Sequence, residues 1–353
     1  MALPEPRADL GLRDGYHSPQ VDVDVRLNTN ESPLPPPADW IEALRDMVAS
    51  VCWNRYPDRQ ASELRAALAD LHGVRPDQVF CANGSNEVLQ GICLAYGGPG
   101  RSVAVFEPTY ALHSHIAHLT GTAVVEGQRR SDFSLDPDVV RDLMEGDRPA
   151  ITFLCSPNNP TGLAEDPATV RAVLAAATGL IVVDEAYAQF ADWSALNLID
   201  DAVPLVVTRT FSKTWSMAAA RLGYLIGPAP VVEALERVTL PYHLDALKQA
   251  AGLLAVRFIG EMEERVGLIV RERHRLLAAM AQLPLTTWPS EANFILFRPE
   301  HRKGAEVWQG LLDRSVLVRD TSSWPRLTDC LRVTVGTPEE NDAFLAALAE
   351  VLA

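Results

Sequence analysis

Lysine is nearly absent from this chain of 353 residues: it occurs only at Lys213, Lys248 and Lys303, and arginine supplies every other basic side chain. That bias reads as the codon preference of a GC-rich genome, so the number of arginines says little about function. Chemistry that needs a lysine amine, however, has only three places to happen. Cysteine is also scarce. The five are Cys52, Cys81, Cys93, Cys155 and Cys330, scattered and without a CxxC pair. A disulfide framework and a zinc site are therefore not expected, and reduced thiols are. Positive charge is in deficit, with a formal net charge of -15. Such a chain repels nucleic acid and acidic membranes, and neither is expected as a partner. No apolar run approaches the roughly 18 residues of a membrane span. The first twenty residues carry charges and prolines where a signal peptide needs an apolar core. A cytoplasmic location is expected.

What is present suits a two-domain enzyme, since 48% of the residues are hydrophobic and the chain is too long for one small core. Residues 1–39 are proline-rich and non-periodic, densest at LNTNESPLPPP, and read as an arm lying over something else. Short β-type runs then follow at 79–81, 103–106, 123–126, 151–154, 180–183, 205–208 and 222–226. Helical patterns such as ELRAALADLH and NEVLQGICLAY separate most of them. Apolar strands without alternation, interleaved with helices, imply an α/β domain with a seven-stranded, mostly parallel sheet over residues 40–240. Past Leu240 the texture changes to a long helical stretch near 244–282, strands at 292–297, 316–319 and 330–335, and a final helix. Residues 241–353 read as a smaller α+β domain.

Ligands of open α/β sheets bind beyond the carboxyl ends of the strands. The loops leaving those ends are chemically loaded: Asn83-Gly84-Ser85-Asn86, Glu107-Pro108-Thr109-Tyr110, SPNNPTG (156–162), Asp184-Glu185-Ala186-Tyr187 and Thr210-Phe211-Ser212-Lys213. Lys213 follows a strand and sits between small polar residues, where an amine can condense with a cofactor aldehyde. Lys248 and Lys303 read as an ordinary helix lysine and an ordinary loop lysine. Asp184 emerges from an apolar strand, and a buried carboxylate needs a cationic partner such as a protonated ring nitrogen. The plainer reading of Asp184 is a helix cap. Ser85 and Asn86 open a helix whose exposed N–H groups can hold a phosphate, and Thr210, Ser212 and Arg221 add hydroxyls and a guanidinium. Tyr110 reads either as a stacking ring or as a core tyrosine. Asn159 and Tyr187 can hydrogen-bond a ring hydroxyl, although Asn159 also fits plain turn chemistry.

Two other patterns are set aside. His113, His115 and His118 fall in one helical pattern, where residues i and i+2 do not share a face, so no metal site is expected. Gly98-Pro99-Gly100 leads into a strand and lacks a third glycine, unlike a dinucleotide-binding loop.

Together, VDVDVRLNTNESP, NRYPDR, ANGSNEVLQ, SPNNPTG, VDEAY, TRTFSK, ARLGYLI, LPYHL, EANFILF and LRVTVGTPEENDAFL resemble the fold-type I pyridoxal-phosphate-dependent aminotransferases. More narrowly they resemble the histidinol-phosphate aminotransferase family, from about Tyr16 to the C-terminus. The resemblance implies that Lys213 carries pyridoxal 5'-phosphate, that Asp184 pairs with its ring nitrogen, and that Tyr187 and Asn159 bond its ring oxygen. It implies that Tyr110 stacks on the ring, and that Ser85, Asn86, Thr210, Ser212 and Arg221 hold the phosphate. Tyr56 is expected to reach that phosphate across a homodimer interface. Arg332 would bind the anionic group of the amino donor, with Arg319 and Tyr16 helping at the substrate phosphate or the glutamate side chain. Lys213, Asp184 and Tyr187 are the expected catalytic residues. The implied reaction moves an amino group between histidinol phosphate and 2-oxoglutarate. Aromatic amino acids are the alternative donors, and a phosphoamino-acid decarboxylase or a non-catalytic cofactor-binding regulator are the remaining readings. One region departs from the family: Ala219 stands where a glycine is usual, two residues before Arg221, and Trp215 is bulkier than the residue usual at its position. A methyl group is costly where φ is positive or backbones pack closely, and this stretch leaves room for a pocket reshaped for another amine.

Overall fold

A computed structural model describes residue 3 and residues 21–353. Tyr16 lies outside the described residues. In chain order the first elements are β1 (Val25–Leu27), α1 (Ala38–Ser50), α2 (Ser62–His72), β2 (Val79–Ala82), α3 (Ser85–Tyr96) and β3 (Ser102–Glu107). Then come α4 (Leu112–Leu119), β4 (Ala123–Gln128), α5 (Pro137–Asp147), β5 (Ile151–Cys155), α6 (Pro167–Ala175), β6 (Leu180–Asp184), β7 (Leu205–Thr210) and β8 (Gly223–Ile226). The chain continues through α7 (Ala229–Val238), α8 (Ala246–Val256), α9 (Ile259–Met280), β9 (Leu285–Thr287) and β10 (Phe294–Pro299). It closes with α10 (Gly304–Leu312), β11 (Val316–Asp320), β12 (Leu331–Thr334) and α11 (Pro338–Leu352).

Seven strands form one sheet in the order β2-β8-β7-β6-β5-β3-β4, and only β8 runs against its neighbours. This is the mostly parallel sheet that the unalternated apolar runs implied. Its central strands are buried on both faces: β5, β6 and β7 have no exposed residue. One face packs on α3, α4 and α7 through Val88, Ile92 and Leu235, and the other on α5 and α6 through Val140 and Val173. Local signals set the helix ends. Asp166 caps α6 by accepting from the N–H groups of Ala168 and Thr169, and Pro167 occupies the first helical position. Thr337 and Glu340 form a reciprocal capping box at the start of α11.

A second sheet has the order β1-β11-β12-β10-β9. Two of its strands are absent from the sequence reading. β9 and β1 are three residues each, too short to show a period. β1 comes from the proline-rich leading segment and pairs in parallel with β11. The segment therefore supplies an edge strand, and its next residues, Asn28 to Glu31, are delivered between the two sheets. The long helical stretch after residue 240 is also divided. It breaks at residues 257 and 258 into α8, which packs on α2 and the β8 side of the large sheet, and α9, which reaches the core of the second sheet through Ile269, Leu276 and Met280.

Candidate active site

Parallel strands deliver their carboxyl ends to one rim, and that rim faces the second sheet across a cavity of about 370 Å³. β2 leads to Ser85 and Asn86, β3 to Tyr110, β5 to Asn159, and β7 to Ser212 and Lys213, while Asp184 and Thr210 end β6 and β7. Arg221 reaches the same rim differently. It precedes β8, the one reversed strand, whose beginning rather than end lies there.

Lys213 lines the cavity, and its Nζ donates to the Thr29 carbonyl at 3.1 Å. The same ammonium lies 5.7 Å from the centre of the Tyr187 ring. Burial disfavours its charged form most, and the Arg332 and Arg221 charges add to that, outweighing the opposite pull of Glu31. The amine is drawn down to about 7. It is therefore partly neutral near physiological pH.

Asp184 is 1% exposed. Its Oδ2 lies 3.0 Å from Nε2 of His113, and its Oδ1 accepts from the Ala186 N–H at 3.2 Å. His113 is fully buried, stacked on Phe153 with centroids 4.6 Å apart and edge-on to Tyr110. Sequence reasoning set His113 aside with its two neighbours in α4. Nothing in its local pattern distinguishes it, because its partner is 71 residues away on another strand.

Around these groups the polar wall is held in place. The Tyr187 hydroxyl accepts from Asn30 Nδ2 at 3.1 Å, and its ring packs edge-on against Phe294. The Tyr110 hydroxyl donates to Asn86 Oδ1 at 3.3 Å. Arg332, 2% exposed, donates to Asn159 Oδ1 at 2.5 Å and to the Asn28 carbonyl at 3.0 Å, with its guanidinium over the Phe294 ring. At the opposite end, Thr210 Oγ1 donates to Ser212 Oγ at 3.0 Å, and Arg221 Nη1 donates to that same oxygen at 3.3 Å. Gly84 has φ +83°, and a Cβ there would lie 3.0 Å from Arg221 Nη2. This end of the cavity thus combines the start of α3, two hydroxyls, a guanidinium and a glycine where a side chain would intrude. Such a set suits a phosphate.

Ala219 and Trp215 resolve differently from the sequence expectation. Ala219 lies on the cavity wall in a short helical turn, Ala218–Ala220, and the positive φ values fall on Ser216 (57°) and Arg221 (52°) instead. The methyl group of Ala219 therefore meets no conformational penalty. Trp215 is 6% exposed and packs on Phe211 in the core beneath α1, α2 and α8, away from the cavity wall.

Two other expected residues stand off the wall. Arg319 is buried, with its guanidinium over Trp324, and it directly opposes Arg332 across the β11–β12 pair. Opposed residues of an antiparallel pair share a face, so the two cationic side chains spring from adjacent points. Tyr56 is 80% exposed and stacks on Tyr242 with centroids 4.5 Å apart. Conversely, Thr29, Asn30 and Glu31 line the cavity although sequence reasoning gave them no separate role. Their only signal was the LNTNESP stretch in the family resemblance.

The profile described as "Aminotransferase class I and II" matches residues 22–348. The histidinol-phosphate aminotransferase of Frankia casuarinae is 47% identical, over 97% of this chain and 90% of its own. That of Thermobifida fusca is 45% identical, over 96% of this chain and 95% of its own. Histidinol-phosphate aminotransferase from Sinorhizobium meliloti, whose structure is known in complex with pyridoxal-5'-phosphate, superposes with a TM-score of 0.86 at 24% identity. It covers 94% of this chain and 91% of its own. The chain belongs to the class I and II aminotransferases. It is an enzyme that transfers amino groups, on the fold-type I architecture.

Proposed function

We propose that the reaction is transfer of the amino group of histidinol phosphate to 2-oxoglutarate, giving imidazole-acetol phosphate and glutamate, as in histidine biosynthesis. The observation that carries this reading is the Arg319–Arg332 pair, two buried guanidinium groups directly opposed on one sheet face beside the cavity. The planar guanidinium fork binds a phosphate in bidentate fashion, and histidinol phosphate carries one. The names of relatives at 45–47% identity support the same donor.

Pyridoxal 5'-phosphate, when bound, supplies the aldehyde that takes up the amino group and a ring that draws in the electron pair left at the donor's α-carbon. In our reading Lys213 attaches it, and Thr210, Ser212, Arg221 and the N–H groups of Ser85 and Asn86 bind its phosphate. Asp184, held by His113, would accept from the ring nitrogen. Tyr187 and Asn159 bond the ring oxygen, and Tyr110 covers the ring face. The Lys213 amine, in its neutral form, would take the proton from the donor's α-carbon. Arg332 orients the donor through its anionic group.

The protein works as a cytoplasmic homodimer in this account. Trp53, Tyr56 and Leu240 are 67%, 80% and 78% exposed, a set of large apolar side chains that water disfavours and a second subunit would cover. Tyr56 would then reach the partner's cofactor phosphate. Sedimentation over a range of protein concentrations checks this, and a single-chain species throughout contradicts it.

The donor is tested in a single half-reaction. Loaded protein is mixed with histidinol phosphate and separately with phenylalanine, and its visible absorption band is followed. Rapid loss with histidinol phosphate, with imidazole-acetol phosphate as product, is expected. Loss with phenylalanine alone favours the aromatic alternative, and release of carbon dioxide favours the decarboxylase.

A further inference from the structure

Consecutive residues of the leading segment each meet a different group of the cavity. The Asn28 carbonyl accepts from Arg332 Nη2 at 3.0 Å, the Thr29 carbonyl accepts from Lys213 Nζ at 3.1 Å, and Asn30 Nδ2 donates to the Tyr187 hydroxyl at 3.1 Å. The first two contacts use backbone oxygens, which any residue supplies. The third needs an amide side chain, and Asn30 brings one.

Asn30 is firmly placed. It is 1% exposed and lies on the cavity wall. Its φ of 53° falls in the left-handed region, which asparagine tolerates better than most side chains. Its carbonyl accepts from Asn293 Nδ2 at 3.2 Å, and its N–H donates to Thr334 Oγ1 at 3.0 Å. The Thr334 hydroxyl in turn donates to Asn30 Oδ1 at 3.1 Å. That bond fixes which way the amide faces. A hydroxyl has one proton, and Thr334 gives it to Oδ1, so Nδ2 is the end turned to Tyr187. Because the Tyr187 oxygen accepts from Nδ2, its own proton is directed away from Asn30. Tyr187 itself lines the cavity beside Lys213.

We infer that Asn30 is a positioning residue: its amide, oriented by Thr334, sets the Tyr187 hydroxyl as a hydrogen-bond donor toward the ring oxygen of the cofactor. The inference rests on the reading that Tyr187 bonds that oxygen. An N–H given to a hydroxyl oxygen also strengthens the bond that the hydroxyl donates, since bonds in a chain polarise one another. Thr334 stands two residues beyond Arg332 on β12, on the same face of the second sheet. The relay therefore ties the strand that carries Arg332 to the hydroxyl at the cofactor ring.

The test is the pH midpoint of the visible absorption band of the loaded protein. That band reports the proton on the nitrogen joining Lys213 to the cofactor, and negative charge on the adjacent ring oxygen holds the proton there. A strong Tyr187 donor relieves that charge, so weakening the donor raises the midpoint. Tyr187→Phe and Asn30→Gly are measured alone and combined, since glycine removes the amide and adopts a positive φ without strain. Asn30→Gly is expected to raise the midpoint by about half a pH unit or more, the size of one hydrogen bond. In the Tyr187→Phe background the same substitution is expected to add less than about half of that shift, because the group through which Asn30 acts is gone. Asn30→Asp, which keeps the shape but puts an acceptor in place of Nδ2, is expected to raise the midpoint further than Asn30→Gly. Thermal melting of each variant establishes that the fold is retained, and Asn30→Asp carries the comparison if Asn30→Gly does not fold. Equal shifts with and without Tyr187 overturn the inference, as does a midpoint that Tyr187→Phe moves and neither Asn30 variant does. A midpoint unmoved by Tyr187→Phe overturns the reading of Tyr187 itself, and the inference with it.

Discussion

At the scale of single residues, Lys213 is defined by its surroundings more than by its type. Burial and two guanidinium groups favour its neutral form, so the amine sheds its proton near 7 instead of at the ordinary lysine value of 10.5. The sign follows directly: below about 7 it is an ammonium and cannot accept a proton, and above that it is a free base. In cofactor-free protein, acetylation at Lys213 should therefore rise through about pH 7 and level off well before the ordinary lysine range. Site-resolved mass spectrometry across a pH series measures this. Arg332→Ala should move the midpoint up, because one of the repelling charges is gone. A midpoint near 10.5 in the unsubstituted protein contradicts the account. The sequence made Lys213 legible, since only three lysines existed and one followed a strand among hydroxyl residues. His113 was not legible. Its role depends on α4, packed beside β3 and β4, aiming one ring at the end of β6, and no local pattern records that aim.

Among the elements, the sheet was readable and the crossing segments were not. Seven apolar runs matched seven strands, and those buried on both faces, such as β5 and β6, are apolar at nearly every position. β1 and the Thr29–Glu31 stretch escaped because an edge strand of three residues leaves no period to detect. The placing of the phosphate end depends on one close approach between elements. Gly223, at the start of β8, packs against the start of α3, where a Cβ would lie 2.3 Å from the Ser85 backbone nitrogen. Both contacting groups are backbone, so neither can rotate away. Gly223→Ala should displace the head of α3 at a cost of about 1–3 kcal/mol, the usual range for overpacking. Its signature should be weaker retention of pyridoxal phosphate in dialysis together with a lower urea midpoint. Retention equal to that of the original protein would mean that the start of α3 does not hold the phosphate.

For the whole molecule, the arrangement of two sheets explains why the site is where it is. The large sheet presents a rim of strand ends, the second sheet presents Arg332 and its neighbour Arg319, and the leading segment threads Asn28 to Glu31 between them. The cavity is completed only when all three are in place. Composition bounded the chemistry early, since the scarcity of lysine left three candidate amines, of which Lys213 lies on this cavity. Composition could not show that the proline-rich segment belongs to the second sheet, because that pairing is made with β11, nearly three hundred residues later. In our reading Lys213 carries the cofactor. Borohydride reduction of the loaded protein, followed by digestion and mass analysis of the peptides, tests it most directly. The account expects the reduced cofactor on the peptide containing Lys213 and no covalent label in Lys213→Ala, whose melting transition should remain cooperative. A label on Lys248 or Lys303, or one that persists in Lys213→Ala, would contradict it.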